Sequence, residues 1–280
     1  MSPIFTRQEH QHVLHPLIAR LEKLYQANKT IIVGIQGGQG TGKTTLVRIL
    51  QKELEQKGYS VSHFSIDDFY LSLVQRKALQ KKFPRNPFYQ IARGLPGTHD
   101  LPLLKEVLSL LKQGRRVEIP MFDKSSENGH GDRSALTTFV SERQDFVLFE
   151  GWCVGIPLVS LQRLTRLCAK NKVPLKKIDP TLKYSSVVLR FIKQYQSLWK
   201  LLDFKIMLKP KAIKLHFLWR QQQEHELKVQ RGQGMSSGEI ERFVTFFLPF
   251  TYVCYEKLRA QATILIDEKH VFRRIMWKTK

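Results

Sequence analysis

The chain has 280 residues, of which 42% are hydrophobic, and carries 46 Lys and Arg against 24 Asp and Glu, a formal charge of +22. That length suits an α/β unit with a sizeable core, so one domain over residues 1–280 is expected, and no repeat, low-complexity tract or Gly/Ser linker divides it. Cys153, Cys168 and Cys254 are odd in number and far apart, which excludes a disulfide framework or a zinc cluster, and no run approaches the roughly 18 apolar residues of a membrane-spanning helix.

The N-terminal stretch MSPIFTRQEHQHVLHPL lacks the apolar core of a signal peptide, so a cytoplasmic location is expected. The charge calls for anionic partners. Its carriers, among them Lys52, Lys57, Lys112, Arg115, Lys170, Lys176, Lys205 and Lys257, are scattered without the aromatic interleaving of an RNA-binding sheet. A solvated exterior with a site for a triphosphate and an acidic substrate is the better reading, and a nucleic-acid surface the lesser one.

Thr30 to Ile35 (TIIVGI) predicts a buried strand, followed by a glycine loop and a helix from about Lys43 to Lys57 that Gly58 closes. Ser60 to Ile66 predicts the next strand. Asp100 has the position of a helix N-cap, with Pro102 in the first turn and Gly114 at the end, and Arg116 to Ile119 reads as a short strand. Asp145 to Glu150 (DFVLFE) is consecutively apolar, as a strand covered on both faces must be. Phe204 to Leu208 and Thr263 to Ile266 complete the expected sheet, with helices at about Val187 to Leu202, Lys211 to Arg231 and Ser236 to Arg259. The expected fold is α/β, a doubly wound and mostly parallel sheet with helices on both faces, with Lys170 to Tyr184 as a basic surface loop or insertion.

Gly37-Gly38-Gln39-Gly40-Thr41-Gly42-Lys43-Thr44 satisfies G-x-x-x-x-G-K-[ST] between a predicted strand and a predicted helix. The glycines let the backbone curl until its N–H groups converge, the helix N-terminus adds partial positive charge, and Lys43 reaches the β and γ phosphates. Thr44 is expected on Mg²⁺, with Thr45 in the same first turn, so ATP and Mg²⁺ are the expected cofactors. A second acid is needed near the metal at the end of another strand, and Glu150 supplies it. Asn171-Lys172-Val173-Pro174 lacks the Asp of a guanine-reading N-K-x-D element, and no ABC-type signature loop or helicase motif can be placed.

A small-molecule kinase needs a base beside the acceptor hydroxyl, and the strand after the P-loop helix ends in Ser65-Ile66-Asp67-Asp68-Phe69-Tyr70. S-x-D-D-F-Y after a P-loop resembles the phosphoribulokinase, uridine kinase and pantothenate kinase superfamily. That resemblance implies Asp67 as the group taking the acceptor proton, close enough to influence the metal, with Asp68 and Tyr70 beside it. Arg93-Gly94-Leu95-Pro96-Gly97-Thr98-His99-Asp100, Phe122-Asp123-Lys124-Ser125, Gly131-Asp132-Arg133, Phe149-Glu150-Gly151-Trp152 and Gly234-Met235-Ser236 follow in order. They resemble the plant-type D-glycerate 3-kinases and their fungal and bacterial relatives, from about Ile31 to Asp267. Phe122 stands where that family carries Tyr, and His270 where it carries Arg.

The resemblance implies transfer from ATP to D-glycerate. Such an acceptor carries a carboxylate and two hydroxyls, for which Arg93, His99, Asp100, Lys124 and Arg133 have suitable chemistry on loops that follow strands or precede a helix. Related kinases close an Arg-bearing helix over the nucleotide, so Arg220, and further along Arg231, are expected in a helical lid, with Trp219 packing beside them. Two other readings stay open: a kinase of the same fold for a nucleoside, pantothenate or a sugar phosphate, and an ATP-dependent nucleic-acid-binding protein.

Overall fold

The structure, a computed structural model, describes residues 5–90, 93–231 and 235–278. Six strands form one sheet in the order β2-β5-β1-β6-β7-β8, built from β1 (Ile31–Gly37), β2 (Val61–Ser65), β5 (Phe146–Gly151), β6 (Phe204–Pro210), β7 (Ala262–Ile266) and β8 (Phe272–Trp277). All neighbours run parallel except β8, which closes the edge antiparallel to β7. The two remaining strands, β3 (Val117–Asp123) and β4 (Asp132–Val140), pair only with each other. Arg116 to Ile119 is therefore part of a separate antiparallel ribbon and not of the central sheet.

Both faces of the sheet are covered, which is why its strands read as apolar runs. Successive residues point to opposite sides: Ile32, Val147 and Phe149 join one core, whereas Ile31, Val33, Ile35, Phe146 and Leu148 join the other. On the second face lie α1 (Arg7–Glu9), α2 (His15–Glu22) and α3 (Lys43–Gln56), whose Leu46, Val47, Leu50 and Leu54 are buried there. On the first face lie α5 (Leu101–Lys112), α6 (Leu161–Lys170), α8 (Lys183–Trp199) and α10 (Ser237–Lys257), with the short α4 (Leu73–Lys82) near the ribbon. Helix α9 (Leu215–Arg231) follows β6 and returns toward the sheet through Leu215 and Trp219.

Local chemistry sets the element ends. Asp100 caps α5 by accepting from the Leu103 amide, and Ser236 with Glu239 forms a capping box at α10. The stretch 170–184 contains α7 (Leu175–Ile178), and it buries Val173, Leu175 and Asp179 while its lysines face outward. Asp179 accepts from both the amide and the hydroxyl of Ser185. The segment is thus a packed turn and short helix with exposed lysines.

Candidate active site

Strand register brings three sequence-distant segments to one place. Glu150 on β5 lies opposite Ile35 on β1 and Ser65 on β2, so the carboxyl ends of three adjacent strands deliver the glycine loop, Glu150 and Asp67 together. This is where open α/β sheets gather ligands.

The loop from Gly37 to Gly42 is shaped by glycine at points that side chains would obstruct. Gly40 and Gly42 have φ of +73° and +80°, a conformation other residues rarely adopt. A Cβ on Gly38 would meet the His216 ring at 2.3 Å. Thr41 donates its hydroxyl to the Gly38 carbonyl at 2.9 Å, and Lys43 donates to that same carbonyl at 3.1 Å. The first turn of α3 then presents Lys43, Thr44 and a half-buried Thr45.

Thr44 donates to Glu150 at 3.1 Å. Burial raises the Glu150 carboxyl above its ordinary value, against the pull of Lys43. Asp67 sits in a 3-10 turn, Ile66–Phe69, that Ser65 caps. Its two oxygens are engaged separately: the Tyr70 hydroxyl donates to Oδ1 at 2.8 Å, and Lys124 donates to Oδ2 at 2.6 Å. Burial alone would raise this carboxyl, but the charge and hydrogen bond of Lys124 with the Tyr70 hydroxyl win, holding it at about 2. Asp68 is turned the other way. It accepts from the Ser65 amide, and burial raises it.

The residues expected around the acceptor converge on Asp67 from two loops. Lys124 comes from the turn after β3, whereas His99 lies flat on the Tyr70 ring, with centroids 4.7 Å apart and planes 21° apart. Arg133 donates to Asp100 at 2.6 Å and to the Tyr70 carbonyl at 3.1 Å, so Asp100 both caps α5 and anchors the ribbon. Arg93 donates to the carbonyls of Gly129, His130 and Lys124, and its guanidinium lies 5.6 Å from the Phe122 ring centre. Arg93 and Arg133 thus shape the wall of the site. Phe122, lacking the hydroxyl of a Tyr, packs edge-on to Tyr70 at 5.0 Å.

Helix α9, which carries the expected lid arginine, lies against the P-loop. Arg220 pairs with Glu224 one turn along α9 and lies over Phe243 of α10, which binds the two helices to each other. The side chain of Arg231 and the residue Gly234 lie outside the described residues. The groups of α9 that reach the P-loop are His216 and Trp219. The His216 Nδ1 is 2.8 Å from the Gln39 carbonyl, its Nε2 is 2.9 Å from the Tyr255 hydroxyl, and that hydroxyl accepts from the Gly38 amide at 3.2 Å. Trp219 stacks on His270, centroids 3.9 Å apart, and His270 in turn bonds the Gly40 carbonyl. His216 and Tyr255 escape sequence reasoning, whereas His270 is marked in the sequence only as a departure from the family's Arg. For His216 the clue is its place four residues before Arg220, on the same helical face.

Thr44 and Glu150 are hard oxygen donors at one point beside Lys43, the chemistry Mg²⁺ takes when phosphates supply its other ligands, so the residues present fit that ion. Among the described residues no helix is long and apolar enough to cross a membrane.

A model of the Phosphoribulokinase / Uridine kinase family matches residues 32–156, the span holding the P-loop, Asp67, Lys124 and Glu150. The uncharacterized kinase mug58 of Schizosaccharomyces pombe is 38% identical over 233 residues, which are 81% of each protein. The chloroplastic D-glycerate 3-kinase of Arabidopsis thaliana is 31% identical over 226 residues, 78% of this chain and 46% of that one. A solved D-glycerate 3-kinase from Cryptococcus neoformans has a TM-score of 0.80 at 27% identity, covering 95% of this chain and 96% of that one. On these similarities, and with a glycine loop and strand-end acids at the ends of a mostly parallel sheet, the chain belongs to the phosphoribulokinase and uridine kinase family and is an ATP-binding P-loop kinase.

Proposed function

We propose that the enzyme transfers the γ-phosphoryl group of ATP to D-glycerate, giving 3-phosphoglycerate and ADP. The observation that carries the chemistry is the meeting of Lys43, Thr44, Glu150 and Asp67 at the ends of three adjacent strands. The acceptor is supported by the D-glycerate 3-kinases of Arabidopsis and Cryptococcus, at 31% and 27% identity.

In this reading the amides from Gly38 to Thr44 hold the phosphates, and Lys43 exchanges the Gly38 carbonyl for the β and γ oxygens. Thr44 and Glu150 are the residues that would hold Mg²⁺, which when bound neutralises charge on the β and γ phosphates. Asp67 orients the acceptor hydroxyl and takes its proton as the oxygen bonds to the γ phosphorus and the bond to the bridging oxygen of ADP breaks. A carboxylate held at about 2 is a weak base. That suits a loose transition state, in which the hydroxyl loses its proton late and positioning matters more than basicity. Lys124 keeps Asp67 ionised, Asp68 braces the 3-10 turn, and Arg93, Asp100 and Arg133 hold the wall against which the acceptor lies. Arg220 acts through the α9 and α10 pair that covers the P-loop.

The three thiols, all free and buried, support a reducing compartment such as the cytoplasm. The test is a panel of alcohols with purified enzyme, ATP and Mg²⁺: D-glycerate, L-glycerate, glycerol, uridine, pantothenate and ribulose 5-phosphate. D-Glycerate should give the highest kcat/KM, and a low rank for it refutes the acceptor assignment.

A further inference from the structure

His99 is 4% exposed, and among the described residues its Nε2 is a buried nitrogen with no hydrogen-bond partner. Its other nitrogen has one, since Nδ1 lies 2.7 Å from the Tyr195 hydroxyl. That hydroxyl also receives the Gly97 amide at 3.0 Å, and an amide N–H can only donate. Tyr195 therefore has one proton left to give and His99 Nδ1 as the neighbour able to take it. The opposite assignment, with the proton on Nδ1, would leave both the Tyr195 proton and the Nε2 lone pair unused. The chain Gly97 amide to Tyr195 to His99 Nδ1 thus fixes the proton on Nε2. Burial also lowers the imidazole to about 4, so the ring is neutral at physiological pH.

An N–H without an acceptor inside a protein is costly, and in native structures such groups ask for an explanation. The surroundings supply one. His99 is stacked on Tyr70, whose hydroxyl binds Asp67, and it is close enough to feel the Asp67 charge. The turn that carries it is rigid: Thr98 bonds the Leu95 carbonyl and the Gly94 amide, and Tyr89 bonds the Pro96 carbonyl. The contact of Nδ1 with Tyr195 leaves Nε2 as the unpaired nitrogen of a ring that stacks on Tyr70. Arg93 and Arg133, the cations expected for an acidic acceptor, already bond carbonyls and Asp100.

We propose that the Nε2–H of His99, its tautomer locked by Tyr195, is the uncharged donor that binds a carboxylate oxygen of the acceptor. The inference rests on the D-glycerate reading and adds to it the atom that recognises the acid. A neutral, immobile donor selects by direction, so it favours an oxygen that only accepts over a hydroxyl that must share its own proton.

The first experiment uses the wild-type enzyme with ¹⁵N-labelled histidine. Without ligands, His99 should show the neutral tautomer protonated on Nε2, and that N–H resonance should move when D-glycerate and ADP are added. A proton on Nδ1, or a resonance indifferent to D-glycerate, overturns the proposal. The second uses two variants. His99→Asn keeps a polar group for Tyr195 but leaves Nε2 empty, and should raise the KM for D-glycerate about ten- to a hundredfold with the KM for ATP unchanged. His99→Gln, which reaches the Nε2 position with an amide N–H, should recover most of the loss. Equal rises in both KM values, or no rise in either, overturns the proposal. If the wild-type enzyme does not phosphorylate D-glycerate, the functional reading has failed. If it does and His99 responds to nothing, only this inference has.

Discussion

Replacing Lys124 with Met keeps the length of the side chain and removes the charge that governs Asp67. The carboxyl stands at about 2 rather than 3.8, a difference worth roughly 2 kcal/mol of preference for the ionised form. The Lys124 side chain is 57% exposed, so water screens part of this, and about 1 kcal/mol is the expected loss of folding stability at neutral pH. The sign follows from the depressed folded value. The stabilisation is present above 3.8 and is lost as pH falls toward 2 in the wild type. In Lys124→Met burial is opposed chiefly by the Tyr70 hydroxyl, the Asp67 carboxyl rises, and the loss begins at higher pH. Glu150 also loses the pull of Lys124 and moves the same way. The assay is kcat/KM for the acceptor between about pH 4 and 8, followed by direct quantification of ADP, alongside urea denaturation at neutral pH. The acid limb should shift upward relative to the wild type. Superimposable profiles would refute the claim that Lys124 sets the ionisation of Asp67.

Asp67→Asn should lower kcat by about two to four orders of magnitude, the usual scale for a positioned base, with ATP affinity measured by calorimetry almost unchanged. Wild-type turnover would remove Asp67 from its proposed role. Glu150→Gln removes the charge beside Thr44 and should raise the Mg²⁺ concentration for half-maximal activity at least tenfold, read from a titration at fixed ATP. Tyr255→Phe leaves the buried Gly38 amide and His216 Nε2 without their shared hydroxyl. The KM for ATP should rise about five- to fiftyfold while the KM for the acceptor stays within twofold. Parallel changes in both would point to general loosening instead.

The sequence exposes features that are continuous along the chain. The glycine loop, the flanking β1 and α3, the runs that become β5 and β6, and the Asp100 cap all depend on residues within one turn or strand. What depends on distant pairing is hidden. Strand β4 is largely exposed along its length, so it shows no in-out alternation, and only its partner β3 makes it a strand. Edge strand β8, FRRIMW, reads as a charged tail until β7 pairs with it. The same holds in the site. Asp67 and Glu150 announce themselves at strand ends, whereas Tyr255 meets Gly38 across 217 positions of sequence. Arg220 reads as a lid cation because a guanidinium on a helix near the nucleotide has that use, whereas its ion pair with Glu224 and its place over Phe243 of α10 depend on how the two helices pack.

The contact between Gly38 and His216 limits the order in which this enzyme can change. A methyl group at position 38 would lie 2.3 Å from the imidazole, so no side chain is admissible there while His216 is in place. If His216 is first replaced by a small residue, the Gln39 carbonyl and the Tyr255 hydroxyl lose their partner, yet position 38 opens. Position 38 can thus change only after position 216 has. A double-mutant cycle on Gly38→Ala and His216→Ala should show strong positive coupling, with the second substitution harmful alone and partly corrective in the presence of the first.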